Sequence, residues 1–346
     1  MTAVVPLPSL SRPCEGQVHN APAEVMTNSV VYADKPVGPA AKPPAPETAP
    51  HAYVVTKPVP GSNIPADYSF VLTRDEIYVP IAVRRPSGPG PFPAITMGFG
   101  EGRRGMLKVE EMVARLAPMQ DRMIERGYVV VTVNYRNEIP YAYSQTAGAP
   151  ENLPDSISGD QRTLKSQATL DHHDLIAIWK YLATLAFVDP SAIGAMGVSH
   201  SGEMILKAAA EFPIAAGVCV EPAAREFLEV NTGPTAPRKG SQIQYNSVDV
   251  VRANADKAKA MERIRQVSTP LLIFGRDSDH LQGIFRLTHE WLREAGKNVS
   301  WISFDHHVHG YVFTFGPAKP DPIQEKAFEV LLGFFDKYLK RGTDPR

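Results

Sequence analysis

From residue 66 onward the chain alternates between two hydrophobic patterns. Short, nearly unbroken apolar runs mark buried strands: EIYVPIAVRRP near 76–86, PAITM at 93–97, GYVVVTVNYR at 127–136, AIGAMGVS ending at Ser199, AAGVCVE ending at Glu221, PLLIFG ending at Gly275, and VSWISF. Between them lie segments with apolar residues three and four apart, the spacing of one helix face: KVEEMVARLAPMQDRMIER at 108–126, LDHHDLIAIWKYLATL, EMILKAAAEF, GIFRLTHEWLREAG and the stretch from about 323 to 340. Regular alternation of strand and helix predicts an α/β protein, a mostly parallel central sheet with helices on both faces. Two stretches break the rhythm: a polar loop from Asn137 to about Lys165, and an excursion of helix and loop from 224 to 266.

Residues 1–65 have a different character. Pro, Ala and Val dominate, as in KPVGPAAKPPAPETAP, a composition that favours extended backbone and supplies no core. The chain is therefore expected to divide into a Pro-rich N-terminal arm, 1–65, and one catalytic domain, 66–346. Two readings of the arm stay open, a segment that packs on the domain or builds a homo-oligomer, and a flexible tail.

Composition narrows the function by exclusion. With 36 Lys and Arg against 37 Asp and Glu, the net charge is −1, and no long basic run offers the footprint that nucleic acid requires. No apolar stretch is long enough to span a bilayer, and the first residues lack a basic segment followed by an apolar one, so a cytoplasmic protein is expected. The two cysteines, Cys14 and Cys219, are too few and too far apart for a disulfide framework or a cysteine metal site.

The strongest local signal is Gly197-Val198-Ser199-His200-Ser201-Gly202, set between an apolar strand and an amphipathic helix. A serine at such a sharp turn is lifted clear of the sheet, and residues two positions away must be small because strand and helix pass closely. Gly197 meets that demand on one side. On the other, Ser201 stands where glycine is usual, and Gly202 follows one residue later.

Together with the preceding FVDPSA, these residues resemble the α/β-hydrolase superfamily, and within it the dienelactone-hydrolase-like and prolyl-oligopeptidase-like branches. The resemblance extends from about 66 to 340 and is most specific at the elbow. It implies the α/β-hydrolase fold, Ser199 as nucleophile, and a general base on a loop after the last strand. That loop reads Phe304-Asp305-His306-His307-Val308-His309-Gly310-Tyr311, and a His-Gly followed by an aromatic selects His309. A metal site on His306, His307 and His309 is the rival reading, disfavoured because adjacent histidines rarely converge on one ion.

The acid that orients the histidine is expected beyond PLLIFG, but three residues after Gly275 stands Ser278, flanked by Asp277 and Asp279. Asp279 is the first choice because His280-Leu281-Gln282-Gly283 follows it like the turn into the next helix. Asp277 is the second, and Glu221, at the end of the preceding strand, the third. The oxyanion donors are expected at the backbone N–H of His200 and at Phe99, with Gly100 next, in the stretch Gly98-Phe99-Gly100-Glu101-Gly102. A phosphate site on those glycines is the weaker alternative, since no P-loop lysine accompanies them.

The function expected is hydrolysis of a small-molecule carboxylic ester through an acyl-enzyme, with no cofactor and no metal. A peptidase or amidase of the prolyl-oligopeptidase type is the enzymatic alternative, and a non-catalytic binding protein on the same fold the other. The loop from Asn137 and the excursion from Arg225 to Arg263 are expected to wall the site.

Overall fold

In a computed structural model the chain divides into two units, Met1–Ala49 and Pro50–Arg346. The structure describes residues 54–75, 77–100, 105–136, 170–233, 235–240, 242–316 and 318–340, all in the second unit. Most of the expected arm and the loop from Asn137 lie outside the described residues.

Among the described residues nine strands form one sheet in the order β1-β2-β3-β5-β4-β6-β7-β10-β11. They are β1 (Val55–Lys57), β2 (Ala66–Leu72), β3 (Tyr78–Arg84), β4 (Phe92–Gly98), β5 (Val129–Val133), β6 (Val188–Val198), β7 (Ala216–Val220), β10 (Leu271–Arg276) and β11 (Val299–Phe304). Strands β1 to β3 pair antiparallel with their neighbours, and the six from β5 to β11 in the sheet are parallel. β1 precedes the expected boundary at residue 66, since Val55 pairs with Tyr68 and Lys57 with Ala66. A separate two-stranded ribbon, β8 (Arg238–Lys239) and β9 (Gln242–Ile243), belongs to the excursion.

Seven helices accompany the strands among the described residues: α1 (Met106–Glu125), α2 (Asp171–Leu182), α3 (His200–Glu211), α4 (Val248–Ala253), α5 (Lys257–Gln266), α6 (Gln282–Glu294) and α7 (Pro322–Leu339). The central strands are apolar on both sides because helices cover both faces, which is why β5 reads VVVTV with every residue buried. Ala94, Val131, Ile193 and Ile273 pack with Trp179 of α2, Leu206 of α3 and Phe285 of α6. Their neighbours one residue along, Ile95, Val130, Leu272 and Phe274, face α1 and α7 through Met123 and Phe335.

Parallel strands put their carboxyl ends on one edge of the sheet, the edge where open α/β sheets place ligands. Here that edge gathers the turns that follow Gly98, Val198, Val220, Arg276 and Phe304.

Candidate active site

Ser199 occupies the turn between β6 and α3 with φ 56° and ψ −116°, a left-handed backbone that costs a non-glycine residue about 1–3 kcal/mol. The turn is held by neighbours on both sides: the Ser199 N–H donates to Val220 O at 2.9 Å, and Ser199 O accepts from Glu203 N and Ala223 N. A Cβ at Gly197 would fall 2.7 Å from Ser201 Cβ, so glycine is required there. The unusual Ser201 fits because Gly98 lies opposite, where a Cβ would be 2.7 Å from Ser201 Oγ and 2.6 Å from Tyr135 Oη. The Ser201 hydroxyl is buried and makes no hydrogen bond among the described residues.

His309 lies in the turn after β11. Its loop is anchored by Tyr311, whose hydroxyl donates to Gly275 O at 2.8 Å, and by Gly310, whose φ of 71° lets it press against Val198, the residue before Ser199. The imidazole Nδ1 hydrogen-bonds Glu221 Oε2 at 2.6 Å, and the Gly310 N–H donates to Glu221 Oε1 at 2.8 Å. Glu221 is fully buried, sits directly after β7, and is itself in left-handed backbone at φ 46°. Its own N–H is taken by Phe274 O at 2.8 Å.

The electrostatics of this pair are consistent. Burial works against ionisation of Glu221, but hydrogen bonds and charge from His309 and Arg276 outweigh it and hold the carboxyl below its ordinary pKa. The hydrogen bond to Glu221 lifts the His309 pKa above the usual imidazole value, against the opposing effect of desolvation.

The order of preference among the three candidate acids does not match the geometry. Asp279, the first choice, lies near the imidazole but spends its oxygens elsewhere: one accepts from Leu281 N at 2.6 Å and the other binds the Arg276 guanidinium. Asp277 accepts from Ser303 Oγ at 2.6 Å and turns toward β11. The physical reason is that β10 does not end at Gly275 but continues to Arg276, whose guanidinium stands between Asp279 and Glu221. The third choice, Glu221, is the carboxylate on the histidine.

The rival metal reading of the histidine loop finds no convergence. His306 Nε2 pairs with Asp321, the residue that caps α7, and its Nδ1 accepts from Val308 N, while His307 is exposed. Two other groups bring three ligand-type atoms within 4.8 Å of one another, Glu221 with Asp279 and His309, and His172 with His173 and Glu211. In the first the Arg276 cation already bridges the carboxylates. In the second, His172 Nε2 pairs with Glu211 at 2.8 Å, and an Arg74 nitrogen lies 3.0 and 3.2 Å from the two ring nitrogens of His173.

Phe99 follows β4 and is buried in an aromatic cluster with Phe313 at 4.7 Å and Phe315 at 5.9 Å between ring centroids. The turn after β4 and the loop after His309 are thereby tied together. At Gly100 a Cβ would lie 3.4 Å from the His200 backbone nitrogen, so the backbone after β4 reaches the start of α3, beside Ser199. The His200 ring bonds the buried Asp171 at 2.7 Å and meets Tyr135 edge-on. Burial opposes its charged form, but Asp171 prevails and the His200 pKa is raised. Glu101 and Gly102 lie outside the described residues.

The excursion after β7 docks beside the acid. Tyr245 N donates to His280 O at 2.7 Å and Tyr245 O accepts from Gly283 N at 2.8 Å, which fastens the segment before α4 to the turn before α6. An open groove of about 780 Å³, lined by Thr56, Asp67, Arg85 and Glu125 among others, lies at the opposite edge of the sheet and holds none of the candidate residues.

Sequence reasoning missed Arg276 and Asp171. Both are charged residues embedded in apolar elements, Arg276 at the end of LLIFGR and Asp171 in the first turn of α2. A charge in such a place signals a buried partner, although the sequence does not say which.

No family model matches the chain, and no curated protein matches it. Solved structures do. An acylaminoacyl peptidase from Pyrococcus horikoshii aligns over 82% of this chain and 43% of its own, with 16% identity and TM-score 0.55. The chain thus spans less than half the length of that protein. A dienelactone hydrolase described as such in Klebsiella pneumoniae aligns over 80% of this chain and 100% of its own, with 14% identity and TM-score 0.52. The esterase 2 of Thermogutta terrifontis phosphoramylated by tabun aligns over 84% and 98%, with 17% identity and TM-score 0.51. The chain has the α/β-hydrolase fold. Among the described residues no helix is long and apolar enough to cross a membrane.

Proposed function

We propose that this chain is a serine hydrolase that cleaves carboxylic esters of small molecules through an acyl-enzyme, with Ser199 as nucleophile, His309 as general base and Glu221 as the acid that orients it. The observation that carries the reading is the 2.6 Å hydrogen bond from His309 Nδ1 to a fully buried Glu221, in a loop pressed against the residue before a serine of left-handed backbone.

The chemistry follows from the hydrogen-bond roles. With Nδ1–H donated to Glu221, Nε2 carries the lone pair that accepts the Ser199 proton as Oγ attacks the ester carbonyl. The imidazolium formed is stabilised by Glu221 and returns its proton to the leaving alcohol, after which water repeats the sequence on the acyl-enzyme. The tetrahedral oxyanion is assigned to the N–H of His200, at the start of α3, and to that of Phe99, with Gly100 as alternative. The catalytic domain is assigned to the region from residue 66 with β1 added to it.

Solved relatives in fold include an esterase, a dienelactone hydrolase and an acylaminoacyl peptidase, so ester and amide substrates are the two classes to separate. The test is hydrolysis of p-nitrophenyl esters from acetate to long-chain acyl, beside N-acylaminoacyl p-nitroanilides, by wild type and Ser199→Ala. Ester turnover that is lost in Ser199→Ala is expected. Anilide turnover of equal or greater kcat/KM would move the assignment to the peptidase class, and activity surviving in Ser199→Ala would remove the serine mechanism.

A further inference from the structure

Between the two carboxylates that the sequence offered as rivals lies a cation with a partner on each side. Arg276 Nε donates to Glu221 Oε2 at 2.9 Å, and Nη2 of the same guanidinium binds Asp279. Neighbouring strands deliver the two ends of this bridge: Phe274 pairs with Val220 in the β10 and β7 ladder, so Glu221 and Arg276 emerge side by side. Asp279 is fixed in turn, because its backbone N–H reaches Arg276 O at 3.3 Å and its second oxygen accepts from Leu281 N.

We propose that Arg276, anchored by Asp279, is a positioning residue that locks the Glu221 carboxylate beneath His309, so that Asp279 serves the reaction through Arg276 and not through the imidazole. The inference rests on the triad reading above and extends it to two further residues.

Glu221 and Asp279 are both buried, and their oxygens and the His309 nitrogen lie within 4.8 Å of one another. Two carboxylates that close would share a proton or hold the histidine permanently charged, and a charged histidine accepts no proton from serine. The guanidinium between them offsets the second negative charge that would otherwise bear on His309. It also fixes the carboxylate: Oε1 is held by Gly310, and Oε2 by His309 and Arg276, so no rotation of the Glu221 head is free.

Charges facing His309 come from three elements. Glu221 follows β7, Arg276 ends β10, and Asp279 and His280 lie in the turn before α6. Arg225, in the loop after Glu221, acts on His280. Arg276 pulls the His309 pKa down and Asp279 pushes it up. His280 is held below its ordinary value by burial and by these cations, so its titration falls acid of that of His309.

The signs therefore separate a positioning role from a merely structural one. Arg276→Met removes the cation and leaves Asp279 facing His309, so the acid limb of kcat/KM moves to higher pH. Asp279→Asn removes the anion, so the limb moves to lower pH. Each shift is expected at about two pH units, the effect of one unit charge at roughly 5–6 Å and an effective dielectric near 20.

The experiment is the pH profile of kcat/KM for p-nitrophenyl acetate in wild type, Arg276→Met, Arg276→Lys, Asp279→Asn and the Arg276→Met/Asp279→Asn double variant, with folding checked by circular dichroism. Opposite shifts in the single variants, with Arg276→Lys and the double variant returning toward the wild-type limb, are the result expected. Should Arg276→Met not fold, a limb moved to lower pH in Asp279→Asn and left near the wild type in Arg276→Lys supports the proposal. Limbs that stay in place, or that move the same way, overturn the proposal. Ester turnover retained by Ser199→Ala would instead overturn the triad reading beneath it.

Discussion

Glu221→Gln is the substitution whose outcome the geometry determines most closely. The carboxylate receives three donors, His309 Nδ1 at 2.6 Å and Arg276 Nε at 2.9 Å on one oxygen and Gly310 N at 2.8 Å on the other. A glutamine has one acceptor oxygen and one NH2, so its least costly placement keeps the oxygen toward His309 and Arg276 and sets NH2 against the Gly310 N–H. The imidazole keeps its orientation, but the negative charge beside the developing imidazolium is gone. At roughly 5 Å between charge centres and an effective dielectric near 20, that charge is worth about 3 kcal/mol in the transition state, or on the order of 10²–10³ in kcat/KM. The unpaired Gly310 N–H lowers stability separately by about 1–3 kcal/mol. Asp279→Asn removes a charge already neutralised by Arg276 and should lower the plateau of kcat/KM less than tenfold. Steady-state hydrolysis of p-nitrophenyl acetate, with urea unfolding for the stability part, measures both. A Glu221→Gln enzyme within tenfold of wild type, or an Asp279→Asn enzyme as impaired as Glu221→Gln, would refute the reasoning.

Three further outcomes follow from the same geometry. The acid limb of kcat/KM in the wild type should lie above pH 6.5, because Glu221 raises the His309 pKa and only neutral His309 accepts a proton; a limb below 6.5 would contradict the pairing. The raised His309 also adds stability that is present below its unfolded-state pKa and is lost as pH rises through the folded one, whereas the lowered Glu221 adds stability present above its unfolded-state pKa and lost as pH falls. Ser201→Ala removes a buried hydroxyl without a partner and should be neutral or stabilising by about 1 kcal/mol, while Gly98→Ala, which drives a Cβ into Ser201 and Tyr135, should cost about 1–3 kcal/mol in chemical denaturation. Ser199→Gly should raise the melting temperature while abolishing ester turnover, because glycine relieves the left-handed backbone at φ 56°.

The strands and helices were legible because their periodicities leave little choice: VVVTV can only be buried on both faces, and the amphipathic run of α6 can only lie on a sheet. The elbow was legible because a small residue two before the serine is a local steric demand, and Gly197 meets it. Ser201 looked like a defect in that pattern, and the structure answers it with Gly98, 103 positions ahead of it in the chain and adjacent in space. The carboxylate on the histidine was the weakest inference, for a physical reason. Counting from Gly275 treated it as the end of a strand that runs one residue further, and nothing local to Asp279 reveals that Arg276 claims it. Glu221 ends an apolar run at a positive φ, a feature of backbone that residue order does not display.

The account stands most directly on the reactivity of one hydroxyl. Treating the full chain with a fluorophosphonate probe and mapping the adduct by peptide mass spectrometry should place a single phosphonyl group on Ser199, with labelling lost in Ser199→Ala and strongly slowed in His309→Ala. Absence of an adduct on the folded protein, or an adduct at another serine that survives Ser199→Ala, would contradict the account.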